Sequence, residues 1–88
     1  MTWIVEWDEA AVKELRKLDK QIQREILLYF RERIATDDDP KRLGKGLSHD
    51  KAGLWRYRLR DYRMICNIED DRLIVLVLRV GHRKKVYK

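Results

Sequence analysis

The chain has a single cysteine, so Cys66 finds no disulfide partner within it, which fits a reducing compartment such as the cytoplasm. It has no apolar run longer than the six residues Leu73–Leu78, far short of the ~20 that cross a bilayer, and no apolar leader follows Met1. Neither a membrane span nor a secretory signal is expected. With two histidines, His49 and His82, and Cys66 assigned to an apolar strand face, the donors are too few for zinc. No carboxylate pair has the setting of two-metal or glycosidase chemistry, because Asp37-Asp38-Asp39 stands where a helix gives way to a loop. Acidic residues are also scarce in one half. Residues 41–88 hold 14 Lys and Arg against 5 Asp and Glu, net +9, whereas residues 1–40 hold 7 against 10, net −3. The excess charge of +6 therefore falls where the chain reads as sheet and loops. A one-sided basic surface of that kind attracts polyanions and does so in a salt-dependent way.

What is present reads as one compact domain over 1–88, with 44% hydrophobic residues and a heavily charged shell. Trp3, Val5 and Trp7 alternate with Thr2, Ile4 and Glu6 in a short first strand. Asp8 and Asp19 are placed to cap two helices, the first carrying Ala11, Val12, Leu15 and Leu18, the second Ile22, Ile26, Tyr29, Phe30 and Ile34. Pro40, the only proline, cannot continue the second helix. A loop over 41–53 follows, with Gly44, Gly46 and Gly53 among Lys41, Arg42, Lys45 and Lys51. Strands near 54–59, 62–68 and 72–80 then form a meander through tight turns at Arg60-Asp61 and Asp70-Asp71. The expected class is α+β: an N-terminal strand and a two-helix hairpin packed on a mostly antiparallel four-stranded sheet.

The meander predicts a register. Leu59 meets Tyr62, Arg58 meets Arg63, Ile68 meets Leu73 and Met64 meets Val77. Trp55, Tyr57, Leu59, Tyr62, Met64, Cys66, Ile68, Leu73, Val75 and Val77 then share the face that takes the helices. Arg56, Arg58, Arg60 and Arg63 share the other, with Ile65, Ile74, Leu76 and Leu78 beyond them. Arg58 opposite Arg63 is a like-charge pair that costs up to ~1 kcal/mol unless an anion neutralises it. Arginine suits phosphate because its planar fork donates two parallel hydrogen bonds and stays charged. The plainer reading is a solvated face beside Asp61, Glu69 and Asp70. After the last strand, His82, Arg83, Lys84 and Lys85 stand next to Tyr87, cations beside a ring that could stack on a base.

Other apparent motifs dissolve. Ser48-His49-Asp50 are consecutive in a loop and cannot converge as a triad. Gly44-Lys45-Gly46 lacks the spacing of a phosphate-binding loop, although Lys45 could touch RNA. Cys66 reads as a small core residue and the three tryptophans as core filling.

The order Leu54–Leu59, Asp61-Tyr62-Arg63, the apolar strand, and Val80-Gly81-His82-Arg83-Lys84-Lys85-Val86-Tyr87 resembles RelE-type toxins of the RelE/ParE toxin–antitoxin superfamily, over essentially the whole chain. The resemblance implies an endoribonuclease that cuts mRNA in the A site of the 70S ribosome, in contact with 16S rRNA, and inhibits translation. Neither metal nor cofactor is implied: the 2′-hydroxyl attacks its own 3′ phosphodiester, leaving a 2′,3′-cyclic phosphate. The family's basic residues fall on Arg56, Arg58, Arg63 and Arg83, and its tail tyrosine on Tyr87. Arg63, Arg83, Tyr87 and Arg58 are the expected catalytic set, with His82 added because histidine is the side chain whose unperturbed pKa lies near neutrality. Arg56, Arg58, Arg60, Lys84, Lys85 and Lys45 are expected to bind substrate. Lysines often stand in the family where this chain has Arg56 and Arg58, and arginine cannot act as a base.

A RelB-like antitoxin is the implied partner, expected on the apolar strip Ile65, Ile74, Leu76 and Leu78, with operator DNA reached only through the antitoxin complex. The rival readings are a ParE-like toxin that inhibits DNA gyrase and a non-catalytic nucleic-acid-binding module.

Overall fold

The computed structural model of the chain describes residues 1–47 and 53–86. Ser48-His49-Asp50 and Tyr87 lie outside the described residues. Five strands and two main helices are described: β1 (Ile4–Trp7), α1 (Glu9–Arg16), α2 (Lys20–Tyr29), β2 (Lys45–Gly46), β3 (Trp55–Leu59), β4 (Tyr62–Glu69) and β5 (Ile74–His82). They form an α+β fold whose sheet runs β1-β5-β4-β3-β2, with only the β1–β5 pair parallel.

Both helices start where aspartate can accept an otherwise orphaned N–H. Asp8 takes that of Ala10 at 3.0 Å and Asp19 that of Gln21 at 3.0 Å. Gln23 closes the end of α1 by donating to the carbonyl of Leu18 at 2.8 Å. Beyond Tyr29 the second helix widens into a π turn, Phe30–Ile34, ended by the Ala35 N–H on the Phe30 carbonyl at 2.8 Å.

The apolar stripes meet one sheet face. Ala11, Leu15, Ile26, Phe30 and Ile34 pack on Tyr57, Met64, Cys66, Val75, Val77 and Val80, with Trp3 at the edge. Two indole or phenol groups pin the 40–47 segment to β3: Trp55 Nε1 donates to the Leu43 carbonyl and the Tyr57 hydroxyl to that of Pro40, both at 2.7 Å. Burial pushes the phenol of Tyr57 and the thiol of Cys66 up, so neither ionises readily. A buried neutral thiol is no nucleophile.

Three expectations need correction. The sheet has a fifth strand, because Lys45-Gly46 pairs with Trp55 and Arg56; two residues are too few to show a period of two. The second hairpin is not a two-residue turn, for Glu69 pairs with Ile74 across a four-residue loop in which Leu73 has φ 54°. This moves Ile68 from Leu73 to Val75, and Met64 from Val77 to Val80. Between Ile65 and Cys66 the register shifts by a bulge, which lets Val77 and Val80 both enter the core although they are three apart. Strict alternation would have put Arg79 there. On the opposite face Ile65 and Ile74 are buried while Leu76 and Leu78 are half-covered. The apolar strip is thus narrower than expected.

β5 outruns β1, leaving backbone donors beyond Val77 without a strand partner. Glu14 of α1 covers that edge: it accepts the Val80 N–H at 2.9 Å and the Arg79 fork at 3.0–3.3 Å. The strand end that leads into the basic tail is held this way.

Candidate nucleic-acid interface

Directly opposite residues in a ladder share a face, so the register assembles the cations. Lys45 faces Arg56, Arg56 faces Ile65, and Ile65 faces Arg79, making one row across β2–β5. The next row is Arg58, Arg63 and Gly81. The predicted Arg58–Arg63 pair is present, and the site lies on the sheet face turned away from the helices.

Arg63 is the least exposed cation of the band, 8% accessible. Its Nη1 donates to the carbonyls of Arg60 and Tyr62, both at 3.0 Å, which fixes the guanidinium against the β3–β4 turn. Arg58 is exposed and Arg56 half-buried. The tail enters from the same end. The Arg83 N–H bonds to the Asp61 carbonyl at 2.7 Å, and Lys85 and Val86 donate to the His82 carbonyl at 2.8 and 3.0 Å. This turn buries Val86 over Gly81, where an added Cβ would lie 3.5 Å from the valine Cβ. The Arg83 Nε stands 3.8 Å from the Asp61 carboxylate, both largely exposed, an ion pair worth little in water and easily exchanged for a phosphate.

Two expected site residues direct their side chains away from the band. Arg60, at φ 54° in the turn, sends its guanidinium to Glu25 of α2, with Nε at 2.8 Å and Nη2 at 3.2 Å. Hydrogen bonds from Gln21 and then Arg60 hold the Glu25 carboxyl below the usual range. His82 alternates onto the helix side with Val80, its ring edge-on to Tyr62 at 5.8 Å and its Nδ1 accepting the Lys84 N–H at 3.2 Å. It is thus across the sheet from Arg58 and Arg63. Lys84 and Lys85 are exposed on the tail turn.

Lys45 reaches the band only because Gly44 lets β2 approach β3. Gly44 has φ 74°, and a Cβ there would lie 2.3 Å from the Arg56 carbonyl and 2.8 Å from Trp55 Nε1. Gly44→Ala is expected to cost about 2–3 kcal/mol, the left-handed strain plus the overlap, seen as a lower urea midpoint. An unchanged midpoint would mean that β2 gives way without loss.

A model of the family described as the ParE toxin of type II toxin-antitoxin system, parDE, matches residues 5–87. Toxin RelG of Mycobacterium tuberculosis is 30% identical over 88 residues, covering 100% of this chain and 99% of the relative. The mRNA interferase toxin RelE of Escherichia coli is 23% identical over 87 residues, covering 97% and 87%. Among solved structures, a RelBE toxin–antitoxin complex from M. tuberculosis superposes with a TM-score of 0.84 at 29% identity, covering 94% of this chain and 93% of that one. With the family model matching nearly the whole chain, the strand–helix–helix–meander topology shared, and a relative at 30% identity covered over 99% of its length, the chain belongs to the RelE/ParE superfamily, as a RelE-type toxin of a type II toxin–antitoxin system.

Proposed function

We propose that this toxin is a metal-independent endoribonuclease that cuts mRNA in the ribosomal A site, and that a RelB-like antitoxin holds it inactive. The observation that carries this reading is the cationic band of Lys45, Arg56, Arg58 and Arg63, joined by Arg83 at the hairpin tip. A solvated face has no need of a like-charged cross-strand pair whose inner member is buried. The name of the E. coli relative, an mRNA interferase, supports the same chemistry.

In the reaction the 2′-oxygen forms a bond to phosphorus, the bond to the 5′-oxygen breaks, and the products are a 2′,3′-cyclic phosphate and a 5′-hydroxyl. Arg63 and Arg83 offset charge on the pentacovalent transition state, Arg58 and Arg56 seat the phosphodiester, and Lys45 extends the band along the chain. We assign the stacking role to Tyr87, four residues after Arg83 in the sequence. Arginines stay protonated, so they act by charge and orientation; the 2′-hydroxyl proton passes to solvent, and the departing 5′-oxygen takes its proton from solvent. The rate of cleavage is therefore expected to show no inflection near the ordinary imidazole value of about 6.5. A bell centred there would return His82 to the mechanism.

The test is primer-extension mapping on programmed ribosomes and on naked mRNA, with EDTA present. A-site cuts ending in cyclic phosphate, absent from naked mRNA, are expected. The family described by its ParE member favours a second reading, inhibition of DNA gyrase. Uncut mRNA on active ribosomes together with blocked supercoiling would select it.

A further inference from the structure

On the far side of the tail from the arginine band lies an open cleft of about 610 Å³, walled by the end of α1, the free end of β5 and the tail turn. Its cations come from three elements: Lys17 from the C-terminal end of α1, Arg79 from β5, and Lys84 and Lys85 from the turn, with the His82 ring beside them. Glu14 is the one carboxylate among the described residues of the lining, and it is already taken up by the Arg79 fork and the Val80 N–H. Among the described residues, the remaining positive charge has no acid to answer it within the cleft. The floor is apolar, with Leu18, Val80 and Val86 beside the Tyr62 ring that meets His82 edge-on.

We propose that this cleft is a second RNA-binding site, taking a backbone phosphate between Lys17 and the tail lysines and a base against Tyr62. The proposal rests on the nuclease reading only for the identity of the polyanion. Three features favour RNA over an acidic protein segment. The cations converge on a concavity rather than flank an apolar stripe. The half-buried Tyr62 ring lines the cleft, a surface that a base can meet. The cleft also adjoins Arg83 through its chain neighbours His82 and Lys84, so one strand can run from the arginine band over the tail into it. Lys17 is the residue this adds, lying far in sequence from every other cation of the site.

The measurement is fluorescence anisotropy of a short 2′-O-methyl RNA, which cannot be cleaved, across a salt series. Lys17→Glu is expected to weaken binding about 5–10-fold near 0.1 M salt and to flatten the logarithmic salt slope by about one unit. Lys13→Glu, the same charge reversal on α1 at a residue paired with Glu9 outside the cleft, is the control and is expected to stay within twofold. Equal losses in the two variants, or none in Lys17→Glu, would overturn the proposal. So would a Lys17→Glu loss seen with poly-L-glutamate as probe and not with RNA, which assigns the cleft to an acidic protein. A chain that binds RNA through Lys17 yet leaves ribosomal mRNA intact would keep the cleft and refute the nuclease.

Discussion

Replacing Arg63 with alanine is expected to slow mRNA cleavage by about 10²–10³-fold while leaving the protein folded. Arg63 is flanked across the sheet by Arg58 on one side and Gly81 on the other, so it occupies the centre of its row. Its Nη1 is braced on the Arg60 and Tyr62 carbonyls, and the fork cannot swing away when a phosphate arrives. Such preorganisation is what makes a cation worth more in a transition state than in water. The stability balance is small because two terms oppose. Two carbonyls at the turn lose a donor, which costs about 1–2 kcal/mol, but the like-charge contact with Arg58 is relieved by up to ~1 kcal/mol. Arg63→Lys keeps the charge and loses the fork, so an intermediate loss of about 10-fold is expected. Single-turnover cleavage on programmed ribosomes beside a thermal melt reads both quantities. A folded Arg63→Ala variant within fivefold of the wild-type rate would make Arg63 a brace for the turn and nothing more.

How far the sequence reached can be judged at particular residues. Asp8 and Asp19 announced the helix starts, and the Arg60-Asp61 turn set the β3–β4 register, because a cap and a short turn are local and the chain alone specifies them. The Arg58–Arg63 pair followed from that register. The second hairpin failed for a physical reason. Asp70-Asp71 looked like the turn, yet Leu73 adopts the left-handed region that the sequence gives no sign of, and the strands re-pair four residues apart. The bulge at Ile65/Cys66 was equally hidden, since it answers to Val80 needing the core and Arg79 needing Glu14. Arg60 was misplaced for the same kind of reason: a turn residue belongs to neither face, and its partner Glu25 is 35 positions away. Lys45, expected to bind substrate, comes beside Arg56 by strand pairing, whereas Lys17 reaches the tail by tertiary proximity alone, which no periodicity reports.

The core that holds the band in register hinges on Phe30, and Phe30→Ala is expected to destabilise the fold by about 3–5 kcal/mol. Its ring is 2% exposed and meets three others edge-on: Trp7 at 5.2 Å, Tyr29 at 5.8 Å and Tyr57 at 5.8 Å. Each contact adds about 0.5–1.5 kcal/mol to the burial of the ring. The cavity is also poorly placed to collapse. Tyr57 is pinned through its hydroxyl to Pro40, and the π turn at Phe30–Ile34 is fixed by its own backbone bond. With about 0.05–0.15 kcal/mol of stability per residue, a chain of 88 has roughly 4–13 kcal/mol in all, so this one substitution removes much of it. Phe30→Leu, which refills most of the volume, is expected to lose less than half as much. Arg56 and Arg58 flank Tyr57 in β3 on the opposite face, so loosening the ring cluster frees the strand that aims them. Urea unfolding followed by tryptophan fluorescence measures the loss directly. If Phe30→Ala shifted the midpoint by less than Phe30→Leu, the ring cluster would not be what stabilises the sheet. RNA affinity measured at low temperature, where the variant remains folded, separates the two effects: a drop there shows that the core sets the aim of the arginines as well as the population that is folded.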